Sequence, residues 1–271
     1  MSVVVREGSK GCLRSVLIQL IAIVVVLPLG CLLVGVPFWL VTEYDLNIVW
    51  MIIPALLFLF ILFGGGFGGL AFVIMRRRRR LDSVAVPLGL EGSRYQLYFR
   101  KYLGSLQSRE VGLFFYRGPT MEVEVGTGLR TRLGISEGAA SRFSGMLNRQ
   151  PLSLEGLGMG DLTVYALDEN WARVFLAQRG VPFHLQQLMA LTRAFTIRHV
   201  ILQPGWLRVY ARGSRNVLDF NFDVTAEQAQ GIFEHLLALA EIAESAPPPQ
   251  VTDELTKLER TAQSLRGRNP A

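Results

Sequence analysis

Two long runs without one charged side chain, residues 15–41 and 46–75, constrain this chain more than any other feature. The second run ends on five consecutive arginines, Arg76, Arg77, Arg78, Arg79 and Arg80. A helix rising ~1.5 Å per residue needs about 20 apolar residues to cross a ~30 Å hydrocarbon core, and both runs exceed that. The connecting stretch 42–47 is short, so the pattern predicts an antiparallel transmembrane hairpin. Trp39, Tyr44 and Trp50 gather around that stretch, as amphipathic rings do at a headgroup boundary. Arg6, Lys10 and Arg14 precede the first run, the arginines close the second, and Glu43 and Asp45 lie between the two. This positive-inside distribution predicts both termini in the cytoplasm of a bacterial cell, with the chain multi-pass in the cytoplasmic membrane.

A cleaved leader is the competing reading of the first run, because Leu27-Pro28-Leu29-Gly30-Cys31 looks like a lipoprotein cleavage site. Pro28 stands where such a site wants Leu. The apolar run also continues to Val41, beyond the roughly 7–15 residues of a signal core. A retained helix is the better reading.

Gly64-Gly65-Gly66-Phe67-Gly68-Gly69 contains a formal G-x-G-x-x-G. That pattern binds dinucleotides only between a strand and a helix of a water-exposed domain, whereas here apolar residues flank it on both sides. The pairs Gly64/Gly68 and Gly65/Gly69 read instead as a helix-packing face, toward the first span or a second subunit. The five arginines are expected to contact anionic lipid headgroups, each contributing about 1 kcal/mol near the surface.

The net charge of +6 would suggest nucleic acid if it lay on the large domain. It does not: residues 82–245 carry sixteen basic and sixteen acidic side chains, and the excess sits beside the apolar runs. No nucleic-acid partner is expected. Arginine outnumbers lysine 25 to 3 throughout, which looks like the codon composition of a GC-rich bacterium.

Residues 81–245 are long enough for one core, and their pattern predicts an α+β domain of antiparallel strands packed with helices. Residues 111–116 read as a strand. Residues 121–125 and 129–133 alternate with period two around Gly126-Thr127-Gly128, which predicts a hairpin. In that register Glu124 faces Arg130 and Glu122 faces Arg132 on a solvated, salt-bridged ladder. Residues 134–160 are glycine-rich and read as an irregular surface connection. Asp168 is expected to cap a helix stopped by Gly180, and Pro182 to open a second one. Strands follow at 197–202, 207–211 and 217–222, the first two joined by Gln203-Pro204-Gly205-Trp206. Thr225 with Gln228 predicts a capping box on a final long helix.

Chemistry is sparse. Asp219-Phe220-Asn221-Phe222-Asp223 imitates a calcium loop, but Val224 and Gln230 stand where Gly and Glu are needed. The only cysteines are Cys12 and Cys31, and His184, His199 and His235 show no ligand spacing. No hydrolase, zinc-protease, Walker or kinase signature occurs. No catalytic residue, metal ligand or cofactor is assigned. After 245, Ala246-Pro247-Pro248-Pro249 reads as a stiff spacer, and Val251, Leu255, Leu258, Ala262 and Leu265 form a two-heptad seam suited to docking or self-association.

Tyr116-Arg117-Gly118, Gly160-Asp161 and the 236–244 end of the last helix resemble a loosely related set of bacterial membrane proteins. These have a two-helix anchor and a cytoplasmic α+β domain, and the resemblance spans roughly residues 78–244 and implies no activity. A pleckstrin-like domain is a second resemblance, interrupted by the helical pair at 168–194.

The organisation read from the sequence is a cytoplasmic segment 1–14, a transmembrane hairpin with its arginine stop 15–80, a cytoplasmic α+β domain 81–245, and a Pro-rich spacer with a short amphipathic tail helix 246–271. The functional expectation is a membrane-anchored cytoplasmic interaction or accessory module, a subunit or assembly factor of a larger membrane complex with a protein partner or a second copy. The alternatives are an enzyme with its site near the 134–160 loop and a small oligomeric pore.

Overall fold

A computed structural model describes residues 32, 35–44, 49–95, 99–116, 120–137, 150–153, 161–213 and 224–266. It divides into two compact units, Met1–Arg77 and Arg78–Ala271.

The first unit contains helix α1 (Val36–Glu43) and most of helix α2 (Val49–Ala85). Pro37 opens α1, where its missing N–H would have no intrahelical partner in any case. Beyond the helix, Trp39 and Tyr44 meet edge to face at 6.4 Å. Among the described residues no helix is long and apolar enough to cross a membrane. α1 has only 8 residues, and many side chains of the apolar half of α2 lie outside the description. The two-span hairpin is therefore not shown.

In the second unit, eight strands form one antiparallel sheet. They are β1 (Glu91–Tyr95), β2 (Phe99–Leu106), β3 (Arg109–Tyr116), β4 (Thr120–Gly126), β5 (Leu133–Glu137), β6 (Leu162–Ala166), β7 (Ile197–Gln203) and β8 (Trp206–Arg212), in the order β1-β2-β3-β4-β8-β7-β5-β6. Helices α3 (Glu169–Leu176), α4 (Val181–Leu191) and α5 (Ala226–Ser245) accompany it, followed by α6 (Lys257–Leu265). The α+β class is as expected. The core holds Leu113, Phe115, Met121, Val123, Val125, Val200 and Val209 from the strands, with Ile232, Phe233, Leu236 and Ala240 of α5. α5 lies against β4 and β8, and α4 lies against α5.

Several local expectations hold. The Asp168 side chain accepts from Trp171 N–H at the start of α3, Pro182 sits in the first turn of α4, and Thr225 and Gln228 form a capping box on α5. Pro204-Gly205 turns β7 into β8, with Gly205 at φ +84°. The near end of α2 is tied to the sheet where Asp82 accepts from the Tyr102 hydroxyl (2.6 Å) and from Arg100 (2.8 Å). Gly92 of β1 passes so close to the Tyr102 ring that a Cβ there would lie 2.6 Å from it.

The expected hairpin of 121–125 with 129–133 is corrected. β4 pairs with β3 and β8, Glu124 lies opposite Arg208 and Glu122 opposite Tyr210. Thr127 and Gly128 do not close a local turn, because they are held by the Glu244 carboxylate at the end of α5. Residues 129–132 cross instead from β4 toward β5. The irregular 134–160 connection is corrected in part, since Leu133–Glu137 is a strand and Leu152 bridges to Val164. The expected strand at 217–222 and the calcium-like run lie outside the described residues.

The β2–β3 hairpin turns on Gln107 and Ser108, both with positive φ (50° and 64°). Such a turn favours Asn-Gly, and a left-handed non-glycine residue costs ~1 kcal/mol. Ser108→Gly is therefore expected to stabilise the protein by about 1 kcal/mol in chemical denaturation. An unchanged or lower midpoint would show that Ser108 is not strained.

Candidate functional site

Both faces of the central strands are covered, so polar side chains on the face opposite α5 are buried rather than solvated. Glu122 and Glu124 are 4% and 2% exposed. This overturns the expected open, salt-bridged ladder. Two carboxylates, i and i+2 on one strand, project to the same face and need cations close by. Neither expected neighbour, Arg130 nor Arg132, supplies them.

Arg208 of β8 donates to Glu122 Oε1 at 2.7 Å. The second cation is Arg266, which follows α6. One Nη1 donates to Glu122 Oε1 (3.1 Å) and Glu124 Oε2 (2.9 Å), and Nη2 donates to Glu122 Oε2 (3.1 Å) and the Tyr116 hydroxyl (2.8 Å). The Tyr116 hydroxyl donates to Glu122 Oε2 at 2.9 Å, and the Arg266 guanidinium lies 4.8 Å from the centre of the Phe114 ring. Burial pushes the Glu122 carboxyl up, but Arg208 and Arg266 outweigh it and hold the group below its ordinary value. Burial, with the Glu122 charge, raises the Tyr116 phenol well above its ordinary range.

Arg266 reaches this place because residues 250–266 run across the molecule as a strap. Asp168, already capping α3, accepts from the N–H groups of Gln250 (2.7 Å) and Val251 (3.0 Å) with its second oxygen. The strap then donates from Asp253 N–H to Arg130 C=O (2.7 Å) and accepts from the Thr131 hydroxyl at Val251 C=O (3.1 Å). Arg132 grips it with a fork on Glu259 (2.7 and 2.8 Å), a bond to Glu254 C=O (3.1 Å) and an ion pair to Asp253. Thr256 and Glu259 form a capping box that starts α6, and Lys101 donates to Arg266 C=O at 2.8 Å. The expected tail helix is present, but charge holds it more than its heptad seam does. Leu258 is 84% exposed and Val251 44%.

The residues assigned from the sequence lie elsewhere. The five arginines are all on α2, where 100° steps carry them around its circumference. Arg76, Arg78, Arg79 and Arg80 are exposed, Arg77 is 8% exposed, and Arg78 pairs with Asp82 at 3.4 Å. At Gly64 an added Cβ would meet no atom within 4 Å, so among the described residues nothing packs there. Gly65, Gly68 and Gly69 lie outside the described side chains. Among the described residues no group of three or more His, Cys, Asp or Glu could hold a metal ion. His184 and His235 sit on separate helices, α4 and α5, yet their Nδ1 atoms lie 3.0 Å apart.

No protein-family model matches the chain, and no curated protein matches it. Among solved structures, it is weakly similar to the crystal structure of the mycobacterial trehalose monomycolate transport factor A, TtfA. The TM-score is 0.45 at 14% identity, over 64% of this chain and 98% of that one.

Two tests follow from the strap. Arg266→Ala removes a nearly buried guanidinium from two buried carboxylates and is expected to cost about 2–3 kcal/mol in denaturant melts, against under ~0.5 for Arg260→Ala on the exposed side of α6. Equal effects would show that Arg266 is not keyed into the acid pair. The second test is acid stability. The Arg109 fork holds the Glu244 carboxyl down at about 2, and for Glu259 burial is outweighed by Arg132, again giving about 2. Depressed carboxylates stabilise the fold fully above their unfolded pKa near 4.3, and that stability drains as pH falls toward 2. Glu244→Gln and Glu259→Gln are expected to flatten this loss between pH 4.5 and about 2. A wild-type midpoint independent of pH in that window would contradict the pairing.

Proposed function

We propose that the chain is a membrane-anchored interaction or accessory module, its folded unit on the cytoplasmic side and its role that of a subunit or assembly factor in a larger membrane complex. The observation that carries this reading is α2 itself. It is one helix of 37 residues whose sequence holds no charge from Val49 to Met75. Its described residues do not by themselves make a membrane-crossing helix, so the reading rests on the uncharged sequence and on the side chains it leaves open. Among its described large side chains, Ile53, Leu56, Phe60 and Phe72 are 59–75% exposed. A helix that shows such groups to water needs lipid or protein around it. The arginine girdle at its end fits an anionic headgroup layer, and the open face at Gly64 fits a second helix.

An interaction role is favoured over catalysis because the densest polar cluster, around Glu122 and Glu124, is neutralised by two arginines. Such a cluster positions chain segments rather than holding a free acid or base.

Fractionation of cells making the full chain tests both halves of the reading. The protein is expected to stay in the membrane pellet through alkaline carbonate. Leu57→Arg with Phe60→Arg, each costing ~3 kcal/mol at mid-membrane, is expected to release it. In mild detergent the retained protein is expected to elute as a complex. Carbonate release of the wild type would overturn the anchor, and elution as a lone monomer would overturn the interaction role.

A further inference from the structure

The strap is bound to its own domain as a ligand is bound to a receptor. Two charged points hold its helix, and they lie at opposite ends. Near the start of α6, Glu259 meets the Arg132 fork. Just after its end, Arg266 meets Glu122, Glu124 and the Tyr116 hydroxyl. Seven residues, two helical turns, separate Glu259 from Arg266. The domain thus presents a cation and an acid pair at a matching interval. A helix laid in the reverse direction would bring Glu to the acid pair and Arg to Arg132, so like charges would reject it. Direction and spacing are both read.

The strap is also held by Asp168, Thr131, the Arg130 carbonyl and Lys101, and each of these contacts could equally be made to an identical strap from another copy. Ala246 still bonds back to Ile242 C=O, and the next strap bonds begin at Gln250. Pro247, Pro248 and Pro249 lie between, a stiff spacer. The strap's outward apolar side chain, Leu258, is 84% exposed.

We propose that the face beneath the strap is a docking site for a short helix with Glu near its start and Arg two turns on, and that its second occupant is the tail of another copy of this chain. That tail carries the required charges by identity, so exchange re-forms every strap contact and alters only the proline spacer. Anchoring two copies in one membrane raises the effective concentration at which exchange competes with docking in the same chain. The inference rests on the interaction reading and fails separately from it. A complex that survives truncation after Gln250 keeps that reading and overturns this one.

The test uses two differently tagged chains in detergent, the first with docking of its own tail weakened and the second without a tail. One carries Glu122→Gln with Glu124→Gln and an intact tail, and the other ends after Gln250 with an intact site. They are expected to co-purify when mixed, and Arg266→Ala in the first chain is expected to cut recovery about 30-fold or more. Co-purification indifferent to Arg266 overturns the proposal. Because the acid-pair variant risks misfolding, a second arm leaves the acid pair whole. With Cys12 and Cys31 replaced by Ser, Lys101→Cys is placed in one copy and Gly267→Cys in the other, and a short bis-maleimide is added to membranes containing both. A crosslinked heterodimer is expected, because Lys101 grips Arg266 C=O in the docked strap. If the two copies are never joined across chains, exchange does not occur.

Discussion

Two buried carboxylates on one strand set the terms for much of the second unit. Glu122 and Glu124 point to the same face of β4, are nearly inaccessible to water, and cannot stay there unless guanidinium groups come to them. One comes from the next strand across, the other from the far end of the chain. This demand makes residues 250–266 part of the fold rather than an appendix. It also explains why β3 and β4 are buried on both faces while one of those faces remains polar. α5 covers the apolar face by packing. The strap reaches the polar face by ion pairing.

The two coverings respond differently to their surroundings. Apolar burial under α5 is insensitive to salt, whereas the strap depends on charge pairs at Arg132 and Arg266. The Arg266 pair is the more protected: its side chain is 11% exposed against 5% and 2% for the glutamates, so screening reaches it poorly. The Arg132–Asp253 pair is more open on its acidic side, at 43%. The strap is therefore expected to loosen from its start toward its end, with the Arg266 anchor the last to release. The strap belongs to the second compact unit, Arg78–Ala271.

What could be read from the sequence was local. Asp168 before α3, Thr225 with Gln228, and Pro204-Gly205 each specify a cap or turn within a few residues, and each is found where expected. The failures were non-local. The alternation of 121–125 and 129–133 with opposite charges at matching positions is a sound hairpin signal, but those charges are satisfied by Arg208, 86 residues from Glu122, and by Arg266, 144 residues away. Nothing in a single sequence ranks such partners. β1 was missed because Glu-Gly-Ser-Arg-Tyr has no apolar alternation; it exists as an edge strand completing the pairing of β2. The strap's helix was legible, its site was not, because only the fold shows what Arg266 touches.

Arginine outnumbers lysine 25 to 3 in this chain, and the structure makes particular use of its shape. Arg132 engages Glu259 through both oxygens while also bonding Asp253 and Glu254 C=O, and Arg109 grips both oxygens of Glu244. Arg266 reaches three side chains while lying over the Phe114 ring. A lysine ammonium has three donors around a point and could not span these sets. Lys101 shows the contrast, since it reaches one carbonyl. That Arg132 and Arg266 meet opposite ends of one short helix, while α2 carries five more in a ring, separates two uses of the same residue. In the strap its geometry reads a direction. On α2 the arginines instead follow one another around the helix, four of them exposed and Arg78 paired with Asp82.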